Sequence, residues 1–275
     1  MGENMKKLIM LAGMLVLIAQ YSTGSVLAAS VGPTSDVATP EGGLLQIPKV
    51  GKSPLKAGFL YDYETRHLNP KSGDPTMQIN WFLAKISFDI MDRIEPYIEL
   101  GSAKMSARAP VGTETASFDY GADFAWGIGA KVILFKQKVF SSQAKDLQIF
   151  SDTKFRRARV QLDGLIGQDV SDGAMNVKFL EWQKALGVSQ EFRLSKDFTV
   201  TPYFGGKYSD IDAISKGTAI TPSGWGIDGK SRDQSRNKFG PFVGVDIGVG
   251  KYASLFVEGR FVDENSVSSG ITFRI

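Results

Sequence analysis

The sequence predicts an all-β fold: an antiparallel up-and-down transmembrane β-barrel of about ten strands, with eight and twelve strands as the alternatives. Three observations carry this reading. One is a run of alternating apolar residues too long for an ordinary strand. The second is an export signal at the N-terminus, and the third is a C-terminus that ends in mid-alternation.

Phe118, Tyr120, Ala122, Phe124, Trp126, Ile128, Ala130, Val132 and Leu134 occupy every second position of a 17-residue run. The intervening residues are polar or small, so the segment reads as a strand with one apolar face. Soluble strands usually stop after about five or six residues, whereas a tilted strand needs about 9–11 to cross a bilayer.

Lys6 and Lys7 precede a 12-residue apolar stretch, Leu8 to Ala19, and Val26-Leu27-Ala28 supplies small residues before a cut after Ala28. This is the grammar of a secretory signal peptide, and the stretch is too short to span as a helix, which takes about 20 residues. Residues 1–28 are therefore set apart as a signal. Residues 29–54, with Pro33, Pro40, Pro48 and Pro54, show no alternation and read as a flexible periplasmic leader. The alternative is that Leu44 to Ile47 folds back as a plug. The barrel itself is assigned to 55–275.

Composition narrows the chemistry. Cysteine is absent and His67 is the only histidine, so thiolate sites, disulfides and multi-histidine metal clusters are excluded. No cofactor is expected. The 30 glycines among 275 residues exceed the usual ~7%, as close strand approach requires. The formal charge is +3, and removing Lys6, Lys7 and Glu3 with the signal leaves it lower still. That balance gives no ground for a nucleic-acid partner.

From Leu55 onward the chain divides into ten alternating segments, near 55–65, 77–90, 95–107, 118–135, 154–170, 178–192, 198–213, 238–250, 254–264 and 267–275. The connections after the second, sixth and eighth are short. Those after the first, third and seventh are longer and polar, with 214–237 the longest, which is the rhythm of short periplasmic turns and long outer loops. Residues 136–153 break it, and read as a small helix, an extension of the flanking strands, or two further strands. Glu95-Pro96-Tyr97, Thr201-Pro202-Tyr203 and Ser254-Leu255-Phe256 echo one another at the openings of three segments.

At the chain end Ile271, Phe273 and Ile275 alternate with Thr272 and Arg274. Here the chain resembles bacterial outer-membrane β-barrel proteins, whose last strand carries such a motif for the barrel-insertion machinery. The family form has an aromatic at the last residue, where this chain has Ile275. The resemblance implies an outer-membrane location, with outer-membrane lipid and lipopolysaccharide and the insertion machinery as partners.

If the apolar register faces lipid, the other register lines the lumen. Following it gives Asp62, Lys85, Glu99, Asp119, Asp123, Lys131, Arg157, Arg159, Asp163, Glu181, Lys207, Asp246, Glu258 and Arg260, acids and bases in similar number. Two readings stay open: a salt-bridged core that fills the barrel, and a narrow charged pore for small solutes. The cluster Lys154, Arg156, Arg157, Arg159 is expected at the periplasmic rim, because charge on the lipid face costs ~2–4 kcal/mol at the bilayer midplane and little at the interface. Lys184 falls on the apolar register. Trp225, on a Gly-flanked loop tip, is a candidate contact for a surface partner.

The expected role is non-catalytic: porin-like or structural, with a surface-binding barrel as the alternative and an omptin-like or lipid-modifying enzyme behind it. A ten-stranded barrel also resembles the omptin proteases, whose site combines paired acids with an Asp-His dyad. Asp210, Asp212 and His67 are the residues to compare, but position 212 is Asp where that pattern requires His.

Overall fold

Among the described residues twelve strands form one antiparallel sheet: β1 (Leu55–His67), β2 (Thr76–Phe88), β3 (Ile94–Val111), β4 (Glu114–Gln137), β5 (Ala144–Leu165), β6 (Gln168–Asp169), β7 (Asn176–Arg193), β8 (Phe198–Ile220), β9 (Gly226–Gln234), β10 (Phe239–Val249), β11 (Ala253–Arg260) and β12 (Asn265–Arg274). The structure is a computed structural model that describes residues 55–68, 76–90, 93–111, 114–137, 144–165, 168–169, 175–195, 197–220, 226–236, 238–250, 253–261 and 265–275. The signal, the leader and Trp225 lie outside the described residues.

Ten of the strands close a barrel in the order β1, β2, β3, β4, β5, β7, β8, β10, β11, β12, with β12 pairing back to β1 from Lys56↔Arg274 to Thr65↔Asn265. Leu55 and Ile275 meet at one end, here called the lower end, where the Ile275 N–H donates to the Leu55 carbonyl. β6 is a two-residue addition to β5. β9 folds back on β8, pairing Asp212–Ile220 with Gly226–Gln234, so most of the expected loop 214–237 is a hairpin. In the segment 136–153, β4 extends to Gln137 and β5 starts at Ala144, so the flanking strands lengthen.

The wall is uneven in height. β10, β11 and β12 are short, and β1 and β8 rise beyond them. Ser235 ties the two tall strands together above the short ones. Its N–H and Oγ bond to the Ile211 backbone, it bridges to Leu68, and the Arg236 N–H donates to the His67 carbonyl. The ladder is also staggered: pairs followed from Ile133 through Phe150, Gly187, Gly205, Phe242, Arg260 and Ser266 reach Glu64, high on β1. Strand tilt is what produces this stagger in a closed barrel.

Inward aromatics sit directly opposite glycines. Tyr97 pairs with Gly129, Phe150 with Gly187, Tyr203 with Gly244, Phe242 with Gly205 and Phe256 with Gly270. A Cβ on any of these glycines would run into the facing ring. The three echoed sequence segments supply Tyr97, Tyr203 and Phe256, so the echo marks strands that lay a ring across the bare backbone of the next one. The ring covers what glycine leaves open, and the glycine lets the ring lie flat in a crowded interior.

Candidate functional site: a barrel with inverted halves

The polarity of the wall reverses along the barrel axis. In the lower half the outward residues are apolar, among them Phe59, Phe82, Ile86, Ile98, Leu100, Phe124, Ile128, Leu134, Leu186, Phe204, Val243, Leu255 and Phe273, all exposed. Tyr61 on Phe82 and Trp182 on Tyr208 on Phe239 form aromatic pairs along the upper margin of this belt. Above the margin the outward residues turn polar: Lys104 and Arg108 on β3, Asp119 and Asp123 on β4, Arg159 and Asp163 on β5, Lys178 on β7.

The interior is the mirror image. Its upper half is an apolar plug of Leu60, Met77, Ile79, Trp81, Leu83, Met105, Phe118, Tyr120, Val160, Leu162, Phe179 and Ile211, with Trp81 and Phe179 edge to face at 5.5 Å. The rest of the interior is charged, and on β1 the charges climb alongside the plug, past Leu60 to Arg66, which pairs with Met77. Asp62, Glu64, Arg66, Asp152, Arg156, Asp246, Glu258 and Arg260 are all inaccessible to solvent.

The charges are joined across the lumen. Arg156 of β5 donates to Glu99 of β3 and to Asp62 of β1, each at 2.7 Å. Asp62 also receives Arg260 at 3.3 Å and the Ser268 hydroxyl at 2.6 Å, while Arg260 holds Glu258 at 2.6 Å. Arg66 bonds its neighbour Glu64 and donates to Glu181 of β7 at 2.9 Å and to Ser209 of β8 at 2.8 Å. Since β1 and β7 lie five strands apart in either direction, Arg66 and Glu181 span the full diameter. The Trp81 indole joins plug to network, donating to Glu64 at 3.2 Å and lying 5.3 Å from Arg156.

A second, lower ring has the same character. Lys56 binds Glu95 at 2.8 Å and Asp89 at 3.0 Å, Arg274 binds Asp89 at 3.1 Å, and Tyr97 donates to Asp152 at 2.9 Å under Lys85. Charges in such surroundings persist only when paired and hydrogen-bonded.

The inward residues therefore include Asp62, Lys85, Glu99, Lys131, Glu181, Lys207, Asp246, Glu258 and Arg260. Asp119, Asp123, Arg157, Arg159 and Asp163 are corrected to the outward face, where all are exposed. The cause in β4 is a bulge. Pairing with β5 jumps from Tyr120↔Leu162 to Ala125↔Ala158, and pairing with β3 shifts between Ala103 and Met105. One extra residue moves every side chain beyond it to the other face. Phe118 and Tyr120 thus point inward while Phe124 to Leu134 of the same alternation point outward.

In β5 the assignment of faces is opposite to that expected. Lys154 and Arg156 point inward and Arg157 and Arg159 outward, and the cluster sits at mid-wall rather than at the lower rim. Arg66 and Arg156, the two central cations of the network, were not among the lumen candidates. Their signal was parity: each shares its face with neighbours of the apolar plug, Leu60 and Leu68 for Arg66, Ala158 and Val160 for Arg156. Lys184 acquires a role on the outward face, its ammonium 4.7 Å from the Trp182 ring.

Asp210 and Asp212 lie on the outward face of β8, each held by a cation: Asp210 by Lys238 at 2.8 Å and Asp212 by two guanidinium nitrogens of Arg232, each at 2.7 Å. Donating to the Asp210 carboxylate raises the Lys238 ammonium above its ordinary range, and donating to Asp212 does the same for Arg232. His67 ends β1, opposite Thr76. Among the described residues no group of three His, Asp or Glu side chains is arranged to hold a metal ion.

Fold and interior together define a closed ten-stranded antiparallel barrel with an apolar belt outside and a charged network within. The chain is similar to the outer membrane protease OmpT of Escherichia coli, with 13% identity and a TM-score of 0.47 over 83% of this chain and 99% of that one. It is also similar to the translocator domain of the autotransporter NalP of Neisseria meningitidis, with 9% identity and a TM-score of 0.41 over 82% and 90%. The transport unit of the autotransporter AIDA-I of Escherichia coli gives 10% identity and 0.38 over 84% and 92%. No family model matches the chain, and no curated protein matches it in sequence.

Proposed function

We propose that this is an outer-membrane barrel with a closed lumen, a structural wall protein and not a diffusion channel. The observation that carries the reading is the Arg66–Glu181 pair, which joins diametrically opposite strands at 2.9 Å with both side chains almost wholly buried. Ten strands enclose only a little more space than eight, which side chains fill, and an aqueous channel takes about 16–18. The largely apolar plug adds a second seal, packed around Trp81 and Phe179. The outward apolar belt supports immersion in a bilayer, and the N-terminal export grammar and the C-terminal Ile271, Phe273, Ile275 alternation support delivery to the outer membrane.

Planar-bilayer recording of the folded full barrel tests this. Silence is the expected result, with current appearing when Arg66→Ala and Glu181→Ala are combined with Trp81→Ala. Discrete conductance steps from the unmodified protein would overturn the closed-lumen reading.

A further inference from the structure

The ten barrel strands are each paired on both sides, and β9 is not. It pairs with β8 from Asp212↔Gln234 to Ile220↔Gly226 without a register shift, and among the described residues no strand lies along its other edge. Its contact with β1 is confined to the foot of the hairpin, at Ser235 and Arg236. An open edge offers a row of backbone N–H and C=O groups on which a further strand can form. Proteins commonly blunt such edges by brevity, proline or a bulge. β9 is nine residues long, more than the usual ~5–6, and has neither proline nor bulge. What protects it is charge of a single sign.

That charge lies on the outward face of the hairpin. Lys216 of β8 stands directly opposite Lys230 of β9, and both are exposed. Like charges so placed destabilise a cross-strand pair. Arg232 follows on the same face of β9, its side chain 62% exposed even while it holds Asp212. The outward acids of β8 are engaged, Asp212 by Arg232 and Asp210 by Lys238. Among the described residues no carboxylate is paired with Lys216 or Lys230. The edge is therefore set against a basic strand and open to an acidic one.

We infer that the free edge of β9 accepts an extended acidic segment of a second protein, added as a strand alongside Gly226–Gln234. The backbone groups of the edge hold the segment, and side chains of alternate residues give the selection. Carboxylates two residues apart on the incoming strand lie beside Lys230 and Arg232, and the first also relieves the repulsion between Lys230 and Lys216. The hairpin rises above the aromatic margin at Tyr208 and Phe239, which leaves the edge clear of the apolar belt. A second copy of this chain is a poor occupant, because it would bring Lys216, Lys230 and Arg232 to the junction again.

The test uses the full-length protein folded in detergent micelles and labelled nine-residue peptides read by fluorescence anisotropy. One peptide alternates valine with glutamate, one alternates valine with glutamine, and one is the glutamate peptide with every backbone nitrogen methylated. The glutamate peptide is expected to bind, and the other two to bind about tenfold more weakly or not at all. Lys216→Gln with Lys230→Gln should weaken the glutamate peptide about tenfold and leave the glutamine peptide unchanged. Lys104→Gln with Arg108→Gln, exposed cations on β3, which is paired on both sides, should leave the glutamate peptide unchanged.

Three results with the unmodified protein would overturn the inference even if the double variant at β8 and β9 failed to fold. Failure to bind the glutamate peptide is one. Equal binding of the methylated peptide is another, since it would show attraction of charge without strand addition, and equal binding of the glutamine peptide would remove the selection for acids. Weakening by the β3 variant would reduce the effect to net charge and overturn it too. So would dimerisation of the barrel that excludes the peptide, which would give the edge to a second copy.

Discussion

The guanidinium of Arg156 meets the carboxylate of Asp62 at 2.7 Å although four ladder steps separate their strands around the wall. The stagger of the tilted strands brings them level, and the same arginine holds Glu99 from two strands away. One side chain thus fastens three parts of the barrel that share no backbone hydrogen bonds.

Arg156→Met should therefore cost about 3–5 kcal/mol, because it strands two buried carboxylates rather than merely deleting a contact. The shift in urea unfolding midpoint of the lipid-inserted protein checks this. A triple change that also replaces Asp62 and Glu99 with apolar residues should recover most of the loss. A single variant as stable as the parent would show that the network carries little of the fold.

Gly129→Val should destabilise by about 1–3 kcal/mol, the usual cost of forcing a packed interior to expand. Its new side chain has to displace Tyr97, and with it the Tyr97–Asp152 hydrogen bond. Pairing it with Tyr97→Ala should be less harmful than the two separate costs added together. Strict additivity in a double-mutant cycle would refute the ring-on-glycine account.

Trp81→Ala should cost about 3–5 kcal/mol as a buried large-to-small change, and its heat sensitivity should exceed that of Phe82→Ala next door. Trp81 is fully buried in the plug while Phe82 is 54% exposed on the belt. Electrophoretic heat-modifiability distinguishes the two. Equal effects would mean that the plug contributes no more than the wall.

A charge introduced on the belt should behave differently from one introduced above it. Val243→Arg faces outward within the belt and should slow or prevent liposome insertion, at a cost of about 2–4 kcal/mol if it lies near the bilayer midplane. Gln161→Arg, outward above the belt on β5, should insert like the parent. Equal insertion of both would mean that the apolar surface is not the lipid boundary.

Strand positions were legible in the sequence because period-two alternation is dense in this chain, and all ten barrel segments fall where Leu55 to Ile275 alternates. The faces were less legible. Alternation states which residues share a side and leaves open which side is inward, and here the apolar side is outward below and inward above. Phe118 and Phe124 illustrate this: both belong to one unbroken sequence pattern, and a bulge between Tyr120 and Ala125 sends them to opposite faces. Alternation sends Arg156 and Arg157 to opposite faces, but only the cross-lumen partners Asp62 and Glu99 decide which one is interior. The hairpin of β8 and β9 is hard to read in the sequence because β9, Gly226–Gln234, is Gly, Asp, Lys, Ser, Arg and Gln apart from Ile227, a composition like that of a loop.

The polar upper wall imposes a directional demand on biogenesis. With the short turns periplasmic, as the rhythm of the sequence predicts, Lys104, Arg108, Arg159, Asp163 and Lys178 end up on the far side of the bilayer, so each must be carried through hydrocarbon before it reaches water. A lone charge at the centre of a bilayer costs about 2.5–3.5 kcal/mol on an insertion scale, and these residues ride on neighbouring hairpins. Strands β3, β5 and β7, which carry these charges, are thus the hardest to deliver. Once across, the same charges oppose retreat, so the feature that slows entry also makes it one-way.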